Sequence, residues 1–192
     1  MERIKQVLKT NKFYKARLMV ESLIDKTIGL LLFQYQKRDN LFNWFYNALK
    51  EQHVAKYNFS PKYNYYEFGV AGGGSMKIYI LALKKFCKDF KLDINKFYIY
   101  GFDSFAGLPE AEIADKKGDW EKGKMKHDKS EVLSIIRETG FPEKNVELIE
   151  GFFDTSLTPL LADKLKQNLP SIVNMDADYY SSTKTVFDWI LN

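Results

Sequence analysis

The chain has 192 residues, 45% of them apolar, enough for one domain with a substantial core and no sign of a second composition. Its 29 basic and 25 acidic residues are interspersed and leave a net charge of only +4, which argues against a dedicated nucleic-acid binder. One cysteine, Cys87, excludes an intrachain disulfide or a thiolate metal cluster; the N-terminal apolar run IGLLLF is too short to span a membrane and wrongly placed for a signal peptide, so no membrane insertion and a cytoplasmic location are expected.

From 1 to 60 apolar residues recur at helical spacing, as in Leu18, Leu23 and Leu30 and again in Leu41, Trp44, Phe45, Ala48 and Leu49, with no proline before Pro61. This predicts a helical cap over 1–60. Residues 63–70, YNYYEFGV, read as a buried strand, SMKIYILALKKFCKDF as a helix capped by Ser75, and KFYIYGFD at 96–103 as a second strand. A helix near 129–139 ends at Gly140 and Pro142 and leads into the strand NVELIE at 145–150. A short helix follows Asp154, Thr155 and Ser156, then the strand SIVNMDA at 171–177 and a last helix from about 181. Strands alternating with helices imply an α/β domain over 61–192, a parallel sheet wound with helices on both faces. The polar stretch from Ala106 to His127 is long enough to be a mobile lid or a disordered loop.

In open parallel sheets ligands bind beyond the carboxyl ends of the strands, and every polar cluster here falls at such an end. Gly69, Gly72, Gly73 and Gly74 follow the first strand, Asp103 the second, Gly151 and Asp154 the third, and Asp176 with Asp178 the fourth. Residues without Cβ let the chain turn sharply and let a ligand reach the amides that open the next helix; a tight turn serving helix packing alone is the plainer alternative. The spacing is neither G-x-x-x-x-G-K-[ST] nor G-x-G-x-x-G, which disfavours a nucleoside triphosphatase and leaves a dinucleotide-binding domain a distant alternative. Asp103 stands where an acid would accept hydrogen bonds from a ribose diol.

The segments YEFGVAGGGS, YGFDSFAGLPE, ELIEGFFDTSL and MDADYYSSTKT occur in the order and approximate spacing of the macrocin O-methyltransferase (TylF-like) family, which the chain resembles from about 63 to 190. The resemblance implies a Rossmann-like fold that transfers a methyl group from S-adenosylmethionine (SAM) to a hydroxyl, commonly of a sugar, with magnesium near the acceptor. By similarity, Glu67 through Ser75 would hold the methionine end of the cofactor and Asp103 the ribose, with Ser104 on the wall of the cleft. Gly151, Phe152, Phe153 and Asp154 would lie near the adenine; Phe152 and Phe153 fit a core role equally well. Asp176 would stand at the chemistry, either as ligand of a magnesium ion that activates the acceptor hydroxyl or as the base that takes its proton, with Asp178 behind it. The pair may instead only cap the following helix.

The family continues into a further strand ending in an acidic pair that completes the metal site, and that strand is missing from these 192 residues. The expectation is a fragment with an open sheet edge at SIVNMDA, an incomplete magnesium site and impaired catalysis, or even a SAM-binding protein without activity. The N-terminal helices would help cover the cofactor and build a subunit contact, which leaves a homo-oligomer open. His53 and His127, each without partners nearby in sequence, read as surface residues.

Overall fold

The computed structural model describes residues 38–54, 63–115 and 121–191. The chain divides into two compact units, 1–41 and 42–192, and everything below concerns the second. Of the expected helical cap, residues 1–37 and 55–60 lie outside the described residues, as does the expected boundary at 60/61; 38–54 form a helix, α1.

Next in chain order come β1 (Tyr65–Phe68), α2 (Gly74–Phe90), β2 (Ile99–Asp103), α3 (Lys129–Glu138) and β3 (Val146–Glu150). They are followed by α4 (Phe153–Ser156), α5 (Pro159–Leu165), β4 (Ile172–Met175) and α6 (Tyr180–Leu191). All four strands are parallel in the order β3-β2-β1-β4, with Tyr65 in register with both Ile99 and Ile172. The expected α/β architecture is present, and the solved relatives described below share it. The strands are shorter than predicted for local reasons. Residues 94–96 close a 3-10 turn whose preceding Asp93 accepts from the Asn95 amide, so β2 starts later than 96. At the other end, Asp176 still donates its amide to the Phe68 carbonyl, but the chain then turns away.

A parallel sheet must be covered on both faces, and all four β1 residues are buried. Because side chains alternate along a strand, Tyr65 faces α1 and α2, stacking on Tyr79 at 4.0 Å with Phe45 edge-on to both. Tyr66 and Phe68 face the other way, into a cluster with Tyr100, Phe102, Leu165 and Val186. There Phe68 stacks on Phe102 at 4.4 Å, and Trp189 of α6 meets both rings edge-on. Gly101 sits in β2 because space demands it: a Cβ would lie 2.7 Å from Met76 Cε and 2.8 Å from both Leu148 Cδ2 and Val70 Cγ2.

At the amino ends of the strands, buried Asn64 ties three strands together. Its Oδ1 accepts from the Tyr98 amide before β2, its Nδ2 donates to the Leu169 carbonyl, and its own carbonyl accepts from Ser171 before β4. Asn145 repeats the device, donating from Nδ2 to the carbonyls of Asn95 and Phe97. Cys87 is buried in α2 as expected of a small apolar residue.

One acid lies in the core. Glu67 of β1 is fully buried, and the hydroxyls of Tyr65 and Ser75 both donate to its carboxylate. Burial nevertheless dominates and pushes the carboxyl up to about 7, with the charge of Asp176 adding to the rise and the hydroxyl hydrogen bonds opposing it.

Two stability measurements follow. Asn64→Ala removes two side-chain hydrogen bonds and strands buried partners, so a loss of about 2–4 kcal/mol in urea unfolding is expected. For Glu67 the folded state holds its proton more tightly than the unfolded chain, whose carboxyl titrates near 4.5. Stability therefore falls as pH rises from about 4.5 through about 7, by up to about 3 kcal/mol. Glu67→Gln should flatten the curve in that window; identical pH profiles for the two proteins would contradict this account.

Candidate active site

The chain leaves β1 toward β2 and β3 on one side and later returns to place β4 on the other, so the strand order reverses between β1 and β4. Beyond the carboxyl ends at such a reversal the loops part and leave a crevice. The crevice here is a cleft of about 420 Å³, within the range of small-molecule sites. Of the residues singled out in the sequence, Gly69, Asp103, Ser104, Gly151, Phe152, Asp154 and Asp176 line it. Glu67, Gly72, Gly73, Gly74 and Ser75 do not.

Each strand end contributes through a local constraint. Gly69 takes a left-handed φ of 89°, and a Cβ there would overlap the carbonyl of Asp176, so the ends of β1 and β4 touch only because this residue is glycine. Asp103, the last residue of β2, holds the turns. Its Oδ2 accepts from the amides of Val70 (2.8 Å) and Ala71 (2.9 Å), and its Oδ1 from the amide of Phe105 (2.8 Å). A carboxylate offers about four acceptor sites. Three are taken, which leaves about one for a ligand.

The glycine turn differs from expectation at its far end. Ser75 does not cap α2. The helix starts at Gly74 from Gly73, which is left-handed with φ 74° and provides no side-chain cap, while the Ser75 hydroxyl turns inward to Glu67. A buried carboxylate short of donors outcompetes amides that can reach solvent. Gly72 lies beside His127, whose ring stands 3.4 Å from where a Cβ would be, an ordinary van der Waals distance. His127 is thus half-buried beside the turn, not simply a surface residue, and nothing near it in sequence signalled that. His53 also has partners, with Nδ1 2.6 Å from the Tyr63 hydroxyl and its ring among Phe86 and Phe90.

On the remaining walls Phe152 faces the cleft, and Phe153 does double service, lining it while its ring meets Phe68 at 5.9 Å in the core. The described stretches 106–115 and 121–127 form a wall that contributes Leu108, Pro109 and Met125. Among the described residues the lining is strongly acidic: Asp103, Glu110, Glu112, Asp154, Asp176 and Asp178 are set against Lys122. Asp178, expected only behind Asp176, lies on the cleft surface, and burial together with the charges of Asp176 and Asp103 raises its carboxyl above the ordinary range.

The implied groups fare differently. A cationic, adenosine-bearing molecule suits a cleft with a bare backbone at Gly69, an aromatic wall at Phe152 and an excess of carboxylates. Magnesium requires several oxygen ligands around one point. Among the described residues no three Asp, Glu, His or Cys side chains come together to hold a metal ion. A magnesium ion there would have at most two of these side chains as ligands, with water or other oxygens filling the remaining positions.

Comparison with known proteins bears on this arrangement. No curated protein sequence matches the chain. Among solved structures, CalS11, a calicheamicin methyltransferase, superposes with a TM-score of 0.63 at 20% identity, covering 99% of this chain and 70% of its own. The O-methyltransferase NovP gives 0.57 at 18% identity, covering 78% of this chain and 58% of its own. The apo form of CalS11, described as a TDP-rhamnose 3'-O-methyltransferase of calicheamicin biosynthesis, gives 0.51 at 19%, with 98% and 70% covered. At these identities the likeness establishes the fold, and the chain spans between 58% and 70% of their lengths. The family model described as macrocin-O-methyltransferase (TylF) matches residues 62–191, from just before β1 to the end of α6, and the chain belongs to that family.

Proposed function

We propose that this protein is a cytoplasmic SAM-dependent O-methyltransferase acting on a hydroxyl of a sugar or other small polyhydroxylated acceptor. The observation that carries the proposal is the meeting of Gly69, Asp103 and Asp176, from three different strand ends, in one acidic cleft of a chain belonging to an O-methyltransferase family. No helix among the described residues is long and apolar enough to cross a membrane.

When bound, SAM supplies a methyl group on a positively charged sulfur. The protein's part is to bind, orient and move a proton. The turn from Gly69 to Ala71 borders the methionine portion, the free acceptor site of Asp103 takes a ribose hydroxyl, and Phe152 offers a face to the base. The acceptor oxygen attacks the methyl carbon as the carbon–sulfur bond breaks, and its proton passes to a carboxylate. Asp176 is that carboxylate: it directly follows β4, is exposed, and lines the cleft together with Asp178. No step requires a metal ligand that the described residues lack.

Calorimetric titration with SAM tests the assignment first: no binding by the full chain would end it. Asp103→Asn puts an amide donor against backbone N–H groups, and a loss of about 2–4 kcal/mol in stability together with a more than tenfold weaker SAM affinity is expected. Asp176→Asn should lower kcat by about 10²–10⁴-fold in a methyl-transfer assay over a panel of sugars while leaving SAM affinity unchanged. A variant as active as the parent would remove Asp176 from the chemistry. SAM binding without transfer to any acceptor would favour a binding protein.

A further inference from the structure

The wall made by 106–115 and 121–127 is fastened at two places of different character. At its base, the Leu108 amide donates to the Lys124 carbonyl and the Gly123 amide to the Leu108 carbonyl, both at 2.9 Å. Gly107 lies so close to Gly123 that a Cβ would overlap the Gly123 carbonyl, and Phe105 beneath it is held by Asp103. This end is locked by backbone contact.

Among the described residues, one side chain holds the far end. Asp115 closes its own 3-10 turn, Ile113–Asp115, by accepting from the Glu112 amide at 3.1 Å. The same carboxylate then accepts from Ser181, 66 residues away, through the backbone amide to Oδ1 at 3.0 Å and the hydroxyl to Oδ2 at 2.6 Å. Ser181 is in the first turn of α6 and itself lines the cleft. Asp115 therefore performs for α6 what an N-cap residue does, from a distant part of the chain. Apolar packing does not reinforce this contact: Ile113, the large apolar residue of the turn, is 88% exposed.

A strap locked at one end by backbone and held at the other by hydrogen bonds to a charged group opens at the second. The strap and α6 are two walls of one cleft, so separating them widens the passage to Asp103, Asp176 and Asp178. We propose that Asp115 is a positioning residue that latches the strap to α6 across the cleft, closed over a bound ligand and released for its entry and exit. The identity of the ligand rests on the function proposed above; the latch itself rests on the two contacts to Ser181.

Hydrogen exchange on the full chain without ligand tests the latch, and dissociation of SAM, chased with excess S-adenosylhomocysteine, tests its consequence. In Asp115→Ala, exchange should quicken across 107–115 and 121–127 as well as in the first turn of α6, and SAM should dissociate about 10–100-fold faster. Ser181→Ala, which keeps the backbone bond, should give a smaller change in the same direction and carries the test if Asp115→Ala does not fold. Faster exchange confined to α6 would reduce Asp115 to a helix cap and overturn the proposal. So would an unaltered SAM dissociation rate despite a loosened strap. If the parent protein binds no SAM, the methyl-donor assignment fails, while the exchange measurement still decides whether Asp115 holds the strap.

Discussion

Three backbone N–H groups from two turns converge on a single carboxylate, that of Asp103, and the cleft depends on that convergence. Ala71 and Phe105 are both left-handed, with φ of 45° and 51°, although neither is glycine. Each such conformation costs about 1–2 kcal/mol and persists only where surrounding structure enforces it. Here the enforcement is charge-assisted: the Ala71 and Phe105 amides both point at Asp103. The Gly151 amide donates to the Asp103 carbonyl, so the exit of β3 is tied to the same residue as those of β1 and β2. Asp176 joins through its amide on Phe68, and all four strand ends are thereby fixed relative to one another.

The two ends of the sheet carry different work. At the amino ends, Asn64 and Asn145 bind strand to strand with neutral, buried amides whose hydrogen bonds are used within the protein. At the carboxyl ends the polar groups are charged, partly exposed and not fully used: Asp103 keeps one acceptor site, and Asp176 and Asp178 are open to the cleft. Glu67 lies between these regimes. It is enclosed like a core residue yet one hydroxyl away from α2 and close enough to Asp176 to feel its charge.

The sheet was legible because its signals are local. Alternating buried runs, each followed by glycine or aspartate, marked all four strands and the rim where Gly69, Asp103 and Asp176 meet. What escaped was decided by partners far away in the chain. Ser75 has the residue type and position of a cap, but a buried carboxylate eight residues earlier claims its hydroxyl. Gly101 looks like a weak point in a strand until Met76 and Leu148 are seen to need the space. Neither the contact of His127 with Gly72 nor the pairing of Asp115 with Ser181 leaves any trace in local spacing. How much of the accepting capacity of Asp103 is used within the protein was hidden for the same reason, since its role in holding the turns appears only when β1 and β2 lie side by side.

The distribution of charge favours the proposed reaction in a specific direction. Among its described residues, a chain with net charge +4 places six carboxylates and one lysine along a single cleft, whose low-dielectric walls strengthen the field they produce. Asp178 binds its proton more firmly because it is partly buried and, beyond that, because the charges of Asp176 and Asp103 act on it. A sulfonium entering that field relieves the repulsion, whereas the thioether left after methyl transfer carries no positive charge on sulfur. The same carboxylates therefore hold the donor more strongly than its spent form and, having lost the cation, more readily keep the proton taken from the acceptor. Binding, proton removal and release all draw on one excess of negative charge, and it remains in place only while Asp103 continues to hold the turns that shape the cleft.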